Sequence, residues 1–570
     1  MELDCLGISL CDGKRACYIV LGENYEGLVE GLRDHLLGVP RLLFHHAPFD
    51  MRVLYKLGID HTENVICTMT AQHLLDEEGP KGLKDLAIQK LGVPESSIVR
   101  FEQAYEKGIN SEEFYQYAMN DAIYTWALWQ LQAPQIESEG LSKLFYSIEM
   151  PFQYVLRDME INGILIDKAA LYQAREWIRK ELIDAGLAAW DAGGIKYKVQ
   201  HGLFGVDEYI PEVNLGSPKQ MIEFIEGRLG ITLEPDENGG KSVDKHTLES
   251  LQGRHDFFKK LLYYRQVAKL SSSFLEKLPE CLDEDGRLRT TFHNTVAVTG
   301  RLSSSDPPMQ QLPKKGTGLA NVRSLIIAPP GKVLIGGDYS GQELRVLADV
   351  TGDVTMIDAF FRKQDVHLAL ANGFMDLGIE ESLLFESNPK FAEVKKKFKD
   401  QRDKCKTINF GIPYGKTAYG FANDWNVSEE EAQKTIDLYF GKFPRIQEAI
   451  GRTVALVRRE GYIHNLFGRR RRFKYPSKRA FRQAFNFLIQ GASADITKLG
   501  GIALRKLFLQ HPEWEALIIL QVHDEWVSEI KQEYVEVAMP LIKKALESCV
   551  HLCVPMVVEL GCGDNYAECK

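Results

Sequence analysis

Two apolar, strand-like runs, KVLIGGDYS at residues 332–340 and ALIILQVHDEWVSEI at residues 516–530, stand far apart in the chain with a long, mostly helical stretch between them. Runs of this length and apolarity leave too many backbone groups and side chains to satisfy alone, so each needs strand neighbours and a covering layer. One shared sheet with the intervening helices attached outside it meets both needs. A third run, PMVVELG at residues 555–561, joins the same set.

At 570 residues the chain exceeds what one hydrophobic core supports, so two or more packed units are expected. The first segment mixes strand-like CLGISL, ACYIVL and RLLFHH with helical runs ending at YQYAMNDAIYTWALWQL, an α/β pattern. The polar stretch QAPQIESEG sets a boundary near residue 135. From Leu141 to Leu278 the periodicity is mostly helical, with Ser217 as N-cap and Pro218 as first residue of a helix at SPKQ. A β-rich passage runs from Arg287 into the strand before Asp338, and helices dominate to about residue 510. Neither a membrane-spanning apolar stretch nor a secretory or transit signal is expected, so the chain reads as cytosolic or nucleoid. Its ten cysteines show no C-x-x-C pairing and read as reduced thiols. A net charge of -10 argues against a nucleic-acid partner only weakly, because cations cluster at Lys395–Lys397, Arg402–Lys406, Arg458–Arg459 and Arg469–Arg472.

Asp338 ends one strand and opens DYSGQELRVL; Asp524 sits between the two halves of ALIILQVHDEWVSEI, as in a tight hairpin. An aspartate in a turn is commonplace. Two brought together at a sheet edge would bridge a pair of divalent ions about 3.5–4 Å apart, a spacing suited to in-line phosphoryl transfer. Oxygen ligands favour Mg²⁺, with Mn²⁺ as a substitute. In QRDKCKTINFGIPYG, Arg402, Lys406, Phe410 and Tyr414 recur every fourth residue, one drifting stripe on a helix that Pro413 should end. A solvated basic edge running into a core face is the bland account; two cations then two aromatics also suit a nucleotide's phosphates and base.

These segments together resemble the bacterial DNA polymerase I family, family A, in a bacterial or phage-like version. DYSGQELRVLA is similar to its motif A, RDKCKTINFGIPYG to motif B and VHDE to motif C. The resemblance implies an α/β plus α+β chain: an RNase H-like exonuclease domain followed by a right-hand polymerase of palm, fingers and thumb. The expected divisions are 1–135 exonuclease-like, 136–290 polymerase start and thumb, 291–355 palm with motif A, 356–495 fingers with motif B and 496–570 palm with motif C. It implies a DNA-directed DNA polymerase extending a primer with dNTPs. Asp338 and Asp524 would hold metal, with Lys406 and Glu525 as further catalytic groups. Arg402, Lys406, Phe410, Tyr414, Glu343 and His367 would bind dNTP, Glu343 crowding the sugar's 2′ position. Arg301, Arg482, Asn486, Gln490 and His523 would touch primer-template DNA. The thumb lacks the long insertion that recruits a processivity factor in some phage relatives, and a monomer is expected. Departures are Gly341 and Gln342 where Gln then Ile are usual, and Gln311 where Asn is usual.

Residues 1–135 are similar to the family's 3′–5′ exonuclease: Asp50 in FHHAPFD and Tyr117 with Asp121 in YAMND match its second and third motifs. The first, D-x-E, is missing; Glu2 and Asp4 are the nearest substitutes, in the wrong register. His46 replaces a usual Asn and Cys67 a usual Asp, while His45 and His46 read as strand-end residues rather than zinc ligands. Weak or absent proofreading is expected, with a working exonuclease or reverse transcription as alternatives. A non-catalytic DNA clamp is a rival from another class, and the retention of Asp338, Asp524, Arg402 and Lys406 together speaks against it.

Overall fold

The computed structural model describes residues 5–21, 26–60, 64–201, 207–234, 240–313, 321–425 and 427–569. Glu2 and Asp4 lie outside them. In the first segment β1 (Gly7–Cys11) and β2 (Ala16–Val20) pair antiparallel. After helix α1 (Glu26–Gly38), β3 (Leu42–Phe44), helix α2 (Ala47–Lys56) and β4 (Val65–Cys67) form a parallel βαβ unit. Helices α3 (Leu83–Leu91) and α4 (Glu112–Ser138) cover it.

Helix α4 begins where the Ser111 hydroxyl accepts the Phe114 N–H at 3.1 Å. It runs on through the polar stretch to Ser138. Gln132 and Ile136 are buried on its inner face, and the chain turns at Gly140 (φ +69°). The apolar cluster that holds Ala47, Ile66 and Leu74 also takes in Ile136, Phe145 and Tyr154, so this core continues past residue 135.

Helix α5 (Met150–Asn162) is buried on nearly every side, because α2 packs on one flank and the main sheet on the other. Two long helices, α6 (Lys168–Gly193) and α7 (Asp256–Leu270), lie along each other and close a smaller core with Phe224, Leu233 and Leu248. Within this region Ser217 caps a helix over Pro218–Gly227, accepting the Gln220 N–H at 3.4 Å, as its sequence predicts.

The main sheet has β5 (Lys332–Tyr339) inside it. Next along the chain come α8 (Gln342–Thr351), α9 (Val366–Met375), α10 (Lys399–Gly411), the hairpin of β6 (Tyr462–His464) and β7 (Arg470–Arg472), and α11 (Lys478–Gln510). The chain then returns to the sheet with β8 (Leu517–Val522) and β9 (Glu525–Lys531), crosses it with α12 (Val535–Glu547) and ends on β10 (Val558–Gly563). The order is β8–β9–β5–β10, all antiparallel. The three apolar runs thus share one sheet. Gly337 permits this packing: a Cβ there would stand 3.0 Å from both Leu546 on α12 and Leu560 on β10. No helix among the described residues is long and apolar enough to cross a membrane.

The Arg469–Arg472 run, expected to supply positive field for a phosphate backbone, is spent inside the protein. Arg470 pairs with Glu139 at 2.9 Å, Arg471 with Glu78 at 2.7 Å, and Arg472 with Glu77 at 2.8 Å and Glu139 at 2.5 Å. Arg469 is buried against Asp495 at 2.6 Å and against Glu149, which also takes Lys498 at 2.7 Å. Sequence distance hid these acids, which come from the first segment and from α11. Burial alone would raise the Glu149 carboxyl, but Lys498 and Arg469 outweigh it and hold it at about 2, against 4.5 when free. A depressed acid contributes its full stability above the unfolded value and loses it as pH falls toward the folded one. Glu149→Gln should therefore destabilise by about 3–5 kcal/mol at pH 7, since it strands buried cations. In thermal melts at stepped pH the gap from wild type should narrow below pH 4.5; a gap constant down to pH 3 would refute the pairing.

Candidate active site

Antiparallel register decides which acids meet. Asp338, the last residue but one of β5, lies opposite Glu525 at the start of β9 and opposite Glu559 on β10. The β8–β9 hairpin turns through His523 (φ +58°) and Asp524, and the Asp524 carbonyl accepts the Tyr339 N–H at 3.3 Å. This stitches the turn to the end of β5. The Asp338 and Asp524 side chains are left in hydrogen-bonding reach of each other, with Glu343 nearby. Burial first, then the Asp338 charge, push the Asp524 carboxyl up to about 6. Two half-shielded acids in contact form a site that a cation would relieve.

Asp524 lines a cleft of roughly 900 Å³ whose walls come from three parts of the chain, and Asp338 reaches it through its contact with Asp524. Arg301, Glu343, His367, Arg402, Lys406, Phe410, His523 and Asp524 all line it, as does Glu559. On α10, Cys405, Ile408 and Asn409 face the core, which leaves Arg402, Lys406 and Phe410 on the cleft side. Arg402 is fixed there: its Nε donates to Asp365 Oδ2 at 2.8 Å, while Asp365 Oδ1 caps α9 by accepting the Leu368 N–H at 2.9 Å. Lys406 is exposed toward the cleft. His367, the second residue of α9, lies with its ring tilted at 5.9 Å from the Phe410 ring, and its Nδ1 is hydrogen-bonded to the Asn409 side-chain amide at 2.9 Å. Burial, with Arg402 and Lys406 adding to it against Asp365, lowers its pKa to about 4. The ring is neutral at pH 7. Helix α10 ends at Gly411, two residues before Pro413, so Tyr414 leaves the stripe and sits in the following turn.

Arg301 is ion-paired with Glu343 across the cleft, and burial raises the Glu343 carboxyl. Arg482, Asn486 and Gln490 recur every fourth residue on α11 but stand outside the cleft lining. The Arg482 stem packs on Gly415 (φ +77°), where a Cβ would collide with it. Asn486 Oδ1 is buried with no hydrogen-bond partner among the described residues.

Glu525 opens β9 directly opposite Asp338. Its carboxylate is buried, accepts the Tyr566 O–H at 2.6 Å and lies 3.5 Å from Arg323. Glu525 thereby ties the start of β9 to Tyr566 and Arg323 beside the aspartates. No group of three or more His, Cys, Asp and Glu side chains placed to hold a metal occurs among the described residues. Sequence reading missed Glu559, because cross-strand register is invisible in PMVVELG, and Asp365, whose cap position before VHLAL was a usable signal.

In the first segment Asp50, Tyr117 and Asp121 do come together. Burial and the Asp121 charge push Asp50 up to about 7. Asp121, however, is ion-paired with Lys84 on α3, whose Nζ also lies 4.3 Å from the Tyr117 ring centroid. Lys84 thus faces the Asp121 carboxyl, which burial nonetheless raises above its ordinary value. His45 spends both ring nitrogens, on Thr68 Oγ1 at 2.9 Å and the Lys81 carbonyl at 2.7 Å, and Cys67 donates to the His45 carbonyl at 3.2 Å. Neither is arranged as a metal ligand.

A family model described as DNA polymerase family A matches residues 201–568, and one described as 3′–5′ exonuclease matches residues 2–137. DNA polymerase I of Chloroflexus aurantiacus is 32% identical over 595 residues, covering 99% of this chain. DNA polymerase I of Pseudomonas aeruginosa is 33% identical over 589 residues, covering 97%. The chain spans 59% and 60% of those two relatives' lengths. Among solved structures, the POL domain of Pol1 from M. smegmatis in complex with DNA primer-template and dNTP superposes with a TM-score of 0.82 at 25% identity, over 98% of this chain and 92% of that one.

The raised Asp524 carboxyl carries a stability consequence. An acid with a folded value near 6 and a free value of 3.8 costs the fold stability as pH rises through that window, and the cost persists above it. Asp524→Asn should melt about 2–5 °C higher than wild type at pH 8 in chelator. Adding Mg²⁺ should raise the wild-type midpoint and leave the variant nearly unchanged. A variant that melts lower than wild type in chelator would refute the pairing of the two acids.

Proposed function

Because the chain belongs to DNA polymerase family A, we propose that it extends the 3′ end of a primer on a DNA template with dNTPs, releasing pyrophosphate. The observation that carries this reading is the contact of Asp338 with Asp524, which shares one cleft with Arg402, Lys406 and His367. A non-catalytic clamp has no use for two acids pressed together at the cost just described.

The donor set is all oxygen, and the mutual repulsion of its two carboxylates is what a divalent pair would offset, so Mg²⁺, or Mn²⁺ in its place, fits Asp338 and Asp524. Such ions supply charge neutralisation at the attacking 3′ oxygen and at the departing pyrophosphate. Everything else falls to this chain's side chains. Arg402, its guanidinium oriented by Asp365, and the exposed Lys406 bind triphosphate oxygens, and Lys406 holds a proton in position for the leaving pyrophosphate. Neutral His367 hydrogen-bonds a phosphate oxygen. Phe410, braced by the His367 ring, offers a flat face to the base or sugar. Glu343 crowds the 2′ position and so favours deoxynucleotides. Arg301 and His523 contact the primer terminus, and Arg482, Asn486, Gln490 and Tyr414 the adjoining DNA, as closure of residues 356–495 brings α10 toward the acids. DNA binding through the backbone makes affinity fall with salt.

Residues 1–135 serve chiefly as a platform, with residues 136–290 as polymerase start and thumb and 291–355 with 496–570 as the palm. The ion pair of Asp121 with Lys84 supports weak or absent proofreading. Primer extension should fall on the order of a thousandfold in Asp524→Ala and in Asp338→Ala, a loss typical of removing charge stabilisation from a reacting centre. Normal extension by either variant would overturn the site, and equal use of rNTPs and dNTPs would overturn the sugar assignment. A 3′-labelled mismatched primer should be degraded no faster by wild type than by Asp121→Asn; rapid wild-type degradation in Mg²⁺ would restore a working exonuclease.

A further inference from the structure

The floor of the cleft reaches a group of buried charges that the reaction above does not use. Lys498 and Ser493 of α11 line the cleft, and Lys498 pairs with Glu149 at 2.7 Å. Glu149 also takes Arg469, whose Nε and Nη2 grip Asp495, at 3.1 Å and 2.6 Å to Oδ1. Asn465 steadies the arrangement by donating to Asp495 Oδ2 at 2.7 Å while its own Oδ1 accepts the Arg469 N–H at 3.0 Å. All four charged side chains are buried, and two cations balance two anions. What distinguishes Arg469 is its remaining side. Nη1 is buried without a hydrogen-bond partner among the described residues, and the guanidinium lies flat against Gly300. A Cβ at Gly300 would stand 2.7 Å from Arg469 Cζ, and Gly300 holds a left-handed backbone (φ +78°) in a turn closed by its N–H on the Ala297 carbonyl at 2.8 Å. The next residue is Arg301, the partner of Glu343.

We propose that Arg469 is a positioning residue for sugar selection: its guanidinium, locked by Glu149 and Asp495, is the surface on which the Gly300 turn rests, and that turn sets where Arg301 holds the Glu343 carboxylate. The inference rests on the polymerase reading. A guanidinium suits the task because its plane is rigid and its fork fits two carboxylates at once, whereas an ammonium keeps the charge and loses the plane. The charge balance keeps the fold; the flat contact keeps the register of the turn. The Glu149 end of the network comes from the stretch joining the first segment to α5, so this geometry also depends on how that segment is seated.

The test is steady-state primer extension by the full chain, with kcat and KM measured separately for a dNTP and its matching rNTP. Wild type, Arg469→Lys, Gly300→Ala, Glu343→Gln and the double variant Arg469→Lys/Glu343→Gln are compared, with a melting curve for each. Arg469→Lys should keep its melting midpoint within a few degrees and lose about tenfold in dNTP-over-rNTP preference. Gly300→Ala, which pushes the guanidinium off without removing a charge, should lose preference similarly, and it carries the test alone if Arg469→Lys does not fold. In the Glu343→Gln background Arg469→Lys should change the preference by less than twofold, because both act through one carboxylate. Proportional losses for dNTP and rNTP in either single variant, or a further tenfold loss in the double variant, would overturn the proposal. Wild type that extends with neither nucleotide would instead sink the polymerase reading itself.

Discussion

The pairing of β9 against β5 is the interaction on which the rest of the structure depends. It sets Asp338 opposite Glu525, and the hairpin turn one residue earlier then swings Asp524 beside Asp338. A slip of one residue would send alternate side chains to the other face and separate the two acids. The register is held by the buried contents of both strands: Leu334, Ile335, Val527 and Ile530 on the two sides, Glu525 braced by Tyr566 and Arg323, and the Tyr339 N–H taken by the Asp524 carbonyl. The sheet spends core packing to hold two carboxylates together, a local conflict of the kind expected where function overrides stability.

Around that pair the molecule fixes its cations by different means. Arg402 is oriented by a buried helix cap, Arg301 by an acid across the cleft, and Lys406 by nothing but its place on α10. The gradient is physically sensible. Groups that define the shape of a bound nucleotide need fixed directions, while one that meets a departing phosphate benefits from freedom. The arginines of residues 469–472 sit at the opposite extreme, fully committed to acids of the first segment and of α11. The first segment is thereby tied to the hairpin of β6 and β7.

How much of this was legible in the sequence follows from the range of each interaction. The strands, the cap at Ser217, the end of α10 before Pro413 and the every-fourth-residue stripe of Arg402, Lys406 and Phe410 are local, and the chain declares them. Asp338 and Asp524 were nameable because strand-end and hairpin patterns mark them, and the family resemblance joined them across the chain. The places of Glu559 and Glu525 opposite Asp338 depend on cross-strand register, which no local pattern carries. The fate of Arg470–Arg472 turns on acids hundreds of positions away, so basic composition read as a DNA surface. The Lys84–Asp121 pair belongs with these: a lysine on α3 is unremarkable until the fold brings it onto α4.

The central claim is that Asp338 and Asp524 jointly hold divalent ions beside the primer end, and crystallography tests it directly. The chain would be crystallised with a dideoxy-terminated primer-template, a matching dNTP and Mn²⁺, and anomalous difference maps collected near the manganese edge. The account predicts two peaks about 3.5–4 Å apart, each within ligand distance of one or both of those carboxylates and of the triphosphate. Manganese found only elsewhere, at Glu559 alone or at the first segment's Asp50 and Asp121, would contradict it.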